Sequence, residues 1–280
     1  MVDALPRWTA LLALLASGGC MDADAPERAE ASPDDPAATR AACTTTTDPT
    51  VYSPYRDPGV YAIGTVADHP WRGVNDGTTG TYPDGDEDFS AYTPPESVEC
   101  GSTKGLRTYL DVTAGCLSAA QVGTYVRGQI HPTTTGYFRA VALGHDAGDT
   151  LPVKWTDQSV EYRFYYSAQT GLVGNPGFKA FARYRDEDDL YVASWRTDGV
   201  VQIQRKQCGI YSYLQIRRDL PAPTTRAWHT IRFDAIGDQL TLTLDHQQVM
   251  TVTDATFAWG TTGIRIDSMA GAYLDDWRVF

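Results

Sequence analysis

Positive charge is scarce in this 280-residue chain: 23 Lys+Arg stand against 35 Asp+Glu, a formal net charge of −12 and a pI near 4.7. Phosphate backbones and anionic headgroups have no electrostatic reason to approach such a chain, which speaks against nucleic-acid binding. Long apolar runs are missing too. The run at 8–16 has nine residues, too few to span a bilayer. Beyond Val51 no window of a dozen residues sustains a 3.6-residue apolar period, so a helical bundle is excluded. There is no Gly-x-Ser-x-Gly elbow and no phosphate-cradling glycine motif after a strand, which removes hydrolases and nucleotide-binding folds built on those turns. After residue 100 the glutamates are Glu161 and Glu187, and neither has a carboxylate partner at strand-alternating spacing, so paired-carboxylate glycoside hydrolysis lacks its residues. What is abundant is aromatic: seven Trp and 16 Tyr, a supply suited to a β-rich exported protein, where these rings serve as core and as recognition surface.

The N-terminal run ends in Ala16-Ser17-Gly18-Gly19-Cys20. Small residues directly before a cysteine resemble the bacterial lipoprotein box, which implies a signal peptide over 1–19 and lipidation of Cys20, with simple secretion as the alternative. Diacylation with an N-terminal acyl chain supplies the lipid signals that stable anchoring needs. The expected location is the bacterial cell envelope, at the outer membrane or cell surface, with the lipid as the one membrane contact. Residues 20–50 read as a disordered acidic tether: from 21 to 50 there are seven acidic residues against Arg28 and Arg40 and almost nothing large and apolar to offset ordering entropy.

Setting Cys20 aside leaves Cys43, Cys100, Cys116 and Cys208, an even number in an exported chain, which points to disulfides. Four cysteines allow three connectivities; the nearest pair in sequence, Cys100 with Cys116, is the preferred bridge. Their spacing and the lack of paired histidines disfavour zinc.

Strands are expected at 106–112, 124–130, 137–143, 159–166, 179–184, 190–196, 200–205, 211–217, 228–235, 239–244, 247–253, 263–266 and 273–279, with Asp198-Gly199 and Asp245-His246 as hairpin turns. Without helical crossovers they pair antiparallel. The fold class is therefore all-β, a two-sheet antiparallel sandwich.

The second half resembles a known family. Trp155-Thr156-Asp157 with Val160-Glu161-Tyr162, Phe181 through Tyr191, Trp228-His229-Thr230-Ile231-Arg232-Phe233, Gly237-Asp238-Gln239-Leu240, Gly263-Ile264-Arg265 and Tyr273-Leu274-Asp275-Asp276-Trp277-Arg278-Val279 are similar, in order, to the concanavalin A-like (laminin-G-like) jelly rolls set beside bacterial polysaccharide-degrading enzymes. The resemblance covers about 137–280, extending upstream to about 105. It implies a jelly-roll sandwich over 105–280 and a carbohydrate-associated role, while leaving binding and catalysis open. Residues 51–104, rich in Gly, Asp, Thr and Pro, carry no such match and read as an accessory region or an insertion.

Three candidate sites follow. Asp84, Asp86 and Asp88 alternate within a tight acidic stretch that could aim oxygens at one calcium ion, although the full calcium-loop pattern is missing and a solvated turn is the plainer reading. Asp186, Asp188 and Asp189 read as a hairpin turn. Gln129-Ile130-His131 matches the short strand motif of jelly-roll alginate lyases, in which Gln steadies the substrate carboxylate and His helps remove a proton; the other lyase motifs are absent or misspaced. For binding, sugars stack on aromatic faces while planar polar groups fix hydroxyls. Arg183, Tyr191 and Trp195 form such a platform if their strand faces look outward, and are core if they look inward. The expectation is a surface-anchored glycan-binding protein without catalysis, the alternatives being a jelly-roll lyase or hydrolase and a structural or protein-binding envelope module.

Overall fold

The computed structural model describes residues 62–64, 86–87, 110–114, 116–119, 126–129, 137–142, 153–166, 175–269 and 272–280. The strands are β1 (Ala62–Gly64), β2 (Asp86–Glu87), β3 (Leu110–Ala114), β4 (Cys116–Ala119), β5 (Val126–Gln129), β6 (Tyr137–Ala142), β7 (Val153–Trp155), β8 (Gln158–Tyr166) and β9 (Gly177–Tyr184). They continue as β10 (Leu190–Arg196), β11 (Val201–Gln207), β12 (Ile210–Arg217), β13 (Ala227–Ile236), β14 (Gln239–Leu244), β15 (Gln247–Thr253), β16 (Thr261–Asp267) and β17 (Ala272–Val279), with no helix among the described residues.

Two antiparallel sheets make the sandwich. One has seven strands in the order β12-β11-β10-β9-β16-β6-β3; the other has eight, in the order β15-β14-β13-β8-β17-β5-β4 with β2 paired to β17. β1 and β7 form a separate parallel pair. Strands expected at 190–196, 239–244 and 247–253 stand at those residues. The pieces at 62–64, 86–87, 116–119 and 153–155 were not expected, because two to four residues carry too few alternations to register as a period. Two of them, β1 and β2, lie in the 51–104 region and pair with β7 and β17.

Alternation explains why the sheets close on each other. Along β8, Val160, Tyr162, Phe164 and Tyr166 are buried while Glu161, Arg163 and Tyr165 are less so, the period-two pattern of a strand with one face inward. Opposite them β9 turns Phe178, Ala180 and Ala182 into the same core, and β10 contributes Tyr191, Ala193 and Trp195. Phe164 stacks on Phe178 across the interface, and the Tyr162 hydroxyl donates to the Lys179 carbonyl at 3.1 Å. Each such large apolar side chain contributes about 1.5–3 kcal/mol by leaving water. The Tyr162 hydroxyl is wholly enclosed, and burial pushes its pKa well above the ordinary tyrosine value.

The turns follow from sequence. Asp245 and His246 both have positive φ, 46° and 64°, giving the two-residue hairpin whose twist matches its flanking strands. After Asp198, Gly199 has φ 85°, and the Asp198 carboxylate accepts from the Val200 amide at 3.1 Å. Gly260 is required by proximity: a Cβ there would lie 2.3 Å from the Arg183 backbone.

Candidate functional site on the outer face of the seven-stranded sheet

Tyr191 and Trp195 share the inward face of β10, so the outward platform is corrected to the core alternative. Both are buried among the aromatic residues between the sheets. The Tyr191 hydroxyl donates to Asp254 Oδ1 at 2.6 Å and accepts from the Phe257 amide at 3.0 Å. Trp195 donates from Nε1 to the Pro221 carbonyl at 3.2 Å and packs edge-on against Phe164 and His229. Arg183 leaves the alternation of its strand, because φ is 50° there and the pairing with β16 slips between Thr261 and Gly263. Its guanidinium donates to the carbonyls of Thr156 (3.1 Å), Phe257 (2.7 Å) and Gly237 (2.5 Å), so its donors serve the fold.

The Asp186–Asp189 segment is the turn its sequence predicts. Asp186 Oδ1 accepts from the amides of Asp188 and Asp189, and Asp189 Oδ1 from that of Cys208. Cys208, in the β11–β12 turn, is disulfide-bonded. Asp86 lies on β2, Cys116 opens β4 and Gln129 ends β5. Cys20, Asp84, Asp88, Cys100 and His131 lie outside the described residues. Among the described residues, no three His, Cys, Asp or Glu side chains gather as a metal site.

The chemistry gathers on the opposite face of the seven-stranded sheet. In β6, β9 and β16 a cation stands between two inward apolar residues: Phe138-Arg139-Ala140, Phe178-Lys179-Ala180 and Ile264-Arg265-Ile266. Alternation turns each cation away from the core between the sheets, and on that other face Arg139 and Lys179 are nonetheless buried. Register then brings them into line: Arg139 pairs with Arg265, Arg265 with Lys179, Lys179 with Ser194, and Ser194 with Gln202. The next row runs Val141, Gly263, Phe181, Val192, Gln204 and Tyr213. Val141, Phe181 and Val192 there form a second apolar cluster with Tyr184 and Leu190, flanked by Tyr211. A polar row therefore lies directly beside an apolar and aromatic one.

Asp267 is the hinge of the charge pattern. It accepts from Lys179 Nζ at 2.6 Å and Arg265 Nε at 2.5 Å, and the three side chains are 5%, 13% and 10% exposed. The Arg265 guanidinium sits 3.9 Å from the centroid of the Tyr137 ring. Arg139 pairs with Glu187 at 3.0 Å, and the Tyr137 hydroxyl donates to the same carboxylate at 3.3 Å. Glu187 is 51% exposed, so the row reaches solvent at this end. Burial opposes ionisation of Asp267, but Arg265 and Lys179 outweigh it and hold that carboxyl below the usual range. Glu187 is lowered in the same way, with Arg139 outweighing desolvation. At the middle of the face, the Ser194 hydroxyl and Gln202 Oε1 are buried without a hydrogen-bond partner, while Gln202 Nε2 donates to Gln204 Oε1 at 2.9 Å.

Sequence reasoning passed over Arg139, Lys179, Ser194, Gln202, Arg265 and Asp267. The available signal was the lone cation within an apolar triplet, repeated in three strands; what it lacked was the strand order that sets the three side by side.

No family model and no curated protein sequence matches the chain. Among solved structures it is similar to the carbohydrate binding module CBM66 from Bacillus subtilis, at 15% identity over 62% of this chain and 96% of that one, with a TM-score of 0.47. Lectin II from Ulex europaeus is similar at 12% identity, over 62% of this chain and 93% of that one, TM-score 0.42. The Caenorhabditis elegans galectin LEC-6 follows at 15% identity, 45% and 83% coverage, TM-score 0.34.

Proposed function

We propose that the protein binds glycans, without catalysis, through the outer face of its seven-stranded sheet, and that a lipid on Cys20 holds it at the bacterial cell envelope. The observation that carries the binding reading is the pair of unpartnered buried groups, Ser194 Oγ and Gln202 Oε1, between cations on one side and Gln204 on the other. A buried polar group without a partner costs about 1–3 kcal/mol, and a ligand hydroxyl of the right geometry removes that cost. A sugar ring is amphipathic, with C–H patches and a hydroxyl rim, and adjoining apolar and polar rows complement both. The resemblance to jelly rolls associated with polysaccharide breakdown implies the same class of ligand. Binding is favoured over a uronate lyase because Gln129 ends a strand of the eight-stranded sheet, in the other layer from this row. Calcium at Asp84, Asp86 and Asp88 remains a proposal, tested by repeating the binding measurement in chelator.

Ser194→Ala separates this reading from a purely structural one. It removes the unpartnered hydroxyl, so the free protein should gain about 1 kcal/mol and melt slightly higher. Mobility in gels containing alginate, polygalacturonate, starch or dextran should show retardation of the wild type by at least one polymer and a weaker effect on the variant. Undiminished retardation of the variant would remove the site from this face.

Anchoring rests on the small residues before Cys20 and on the acidic segment that follows. Cys20→Ser should move the protein from the membrane fraction to the soluble one. A variant that stays with the membrane would overturn the lipid anchor.

A further inference from the structure

We propose that Lys179, Asp267 and Arg265 are the anion-binding element of this face, so that the glycan taken here carries an anionic group, a carboxylate or a sulfate ester. The inference rests on the glycan-binding reading and adds the charge of the ligand to it. Two cations share one carboxylate, and all three side chains are at least 87% enclosed. Among the described residues no second carboxylate lies within ion-pair distance of Lys179 or Arg265. A buried charge is expensive unless paired, and one positive charge here lacks its counterpart. The two cations are cross-strand neighbours, so both can donate to one incoming oxyanion. Charge-assisted bonds from Arg and Lys to such a group are short and strong.

Ser194 is Lys179's cross-strand neighbour on the other side, and its unpartnered hydroxyl is placed to hold a ring hydroxyl of the same sugar unit. Contacts run from the triad through Arg265 and Tyr137 to Glu187, whose side chain is 51% exposed. The chain's net charge of −12 repels polyanions in general, so retention of an acidic polymer reports a local site and not bulk attraction.

The test uses affinity gels of polygalacturonate, alginate and hyaluronate, each beside its methyl ester, with dextran and dextran sulfate as the neutral and sulfated arms. The wild type should be held at least tenfold more tightly by one acidic polymer than by its ester, or by dextran sulfate than by dextran. The first outcome assigns the carboxylate, the second the sulfate ester. Lys179→Met and Arg265→Met each leave a one-to-one ion pair with Asp267, so both variants should unfold cooperatively while losing that preference at least tenfold. Equal retention on an acid and its ester, or on dextran and dextran sulfate, overturns the anionic assignment and leaves glycan binding standing. Retention by none of the polymers overturns both. Wild-type preference in both folded methionine variants places the anion elsewhere and sinks the proposal.

Discussion

Asp267→Asn should cost the protein about 3–5 kcal/mol, the usual loss when one partner is removed from a buried charge cluster. Asparagine keeps the size of the side chain and removes its charge. Lys179 and Arg265, both paired to that carboxylate, would then face each other across adjacent strands with nothing between them. Chemical denaturation at neutral pH measures the loss directly. Lys179→Met should cost far less, because it leaves a neutral pair. If the two variants are equally stable, the charge balance described here is wrong.

The same carboxylate sets the acid limb of stability. Its folded pKa is depressed, because Arg265 and Lys179 outweigh the burial that opposes its charge. A depressed folded value contributes stability that is fully present above the unfolded value, about 3.9 for Asp, and is lost as pH falls through the folded one. Glu187 and Asp254 are shifted in the same direction. Stability should therefore be level from neutral pH to about pH 5 and fall steeply below pH 4, with a shallower fall in Asp267→Asn.

Trp195→Ala should cost about 3–5 kcal/mol, the range for truncating a buried aromatic residue. The indole packs against Phe164 and His229 and donates to the Pro221 carbonyl, so truncation opens a cavity and leaves that carbonyl without its donor. Thermal unfolding should show a much lower midpoint. Glycan retention measured well below that midpoint should be unchanged, since the side chain faces away from the polar row. A stable Trp195→Ala protein with impaired binding would return Trp195 to the ligand surface.

The strands were legible because alternation and turn chemistry are local. Asp245-His246 announces its hairpin, and β8 shows its buried face in the order of its residues. Which of the two faces carries ligand chemistry is not local. Tyr191 and Trp195 invite a recognition role as a pair, but their position opposite Phe164 is decided by β8, some thirty residues earlier. Arg183 misled for another reason: a single residue with positive φ shifted the alternation, and nothing in Phe181-Ala182-Arg183-Tyr184 signals that slip. Lys179 and Arg265 lie more than eighty residues apart in sequence, and only the placement of β16 between β9 and β6 makes them neighbours.

The order of strands also governs when the molecule can take shape. β16 lies between β9 and β6, and β17 between β8 and β5, so the interior of each sheet waits for the last two strands to be synthesised. Until residues 261–279 emerge, β9 and β6 have no common partner, and neither have β8 and β5. The earlier hairpins can form but have no closed core to join. Late closure of this kind raises the loop entropy that folding must overcome and slows it. It also keeps the nascent chain pliable until its last residues are made.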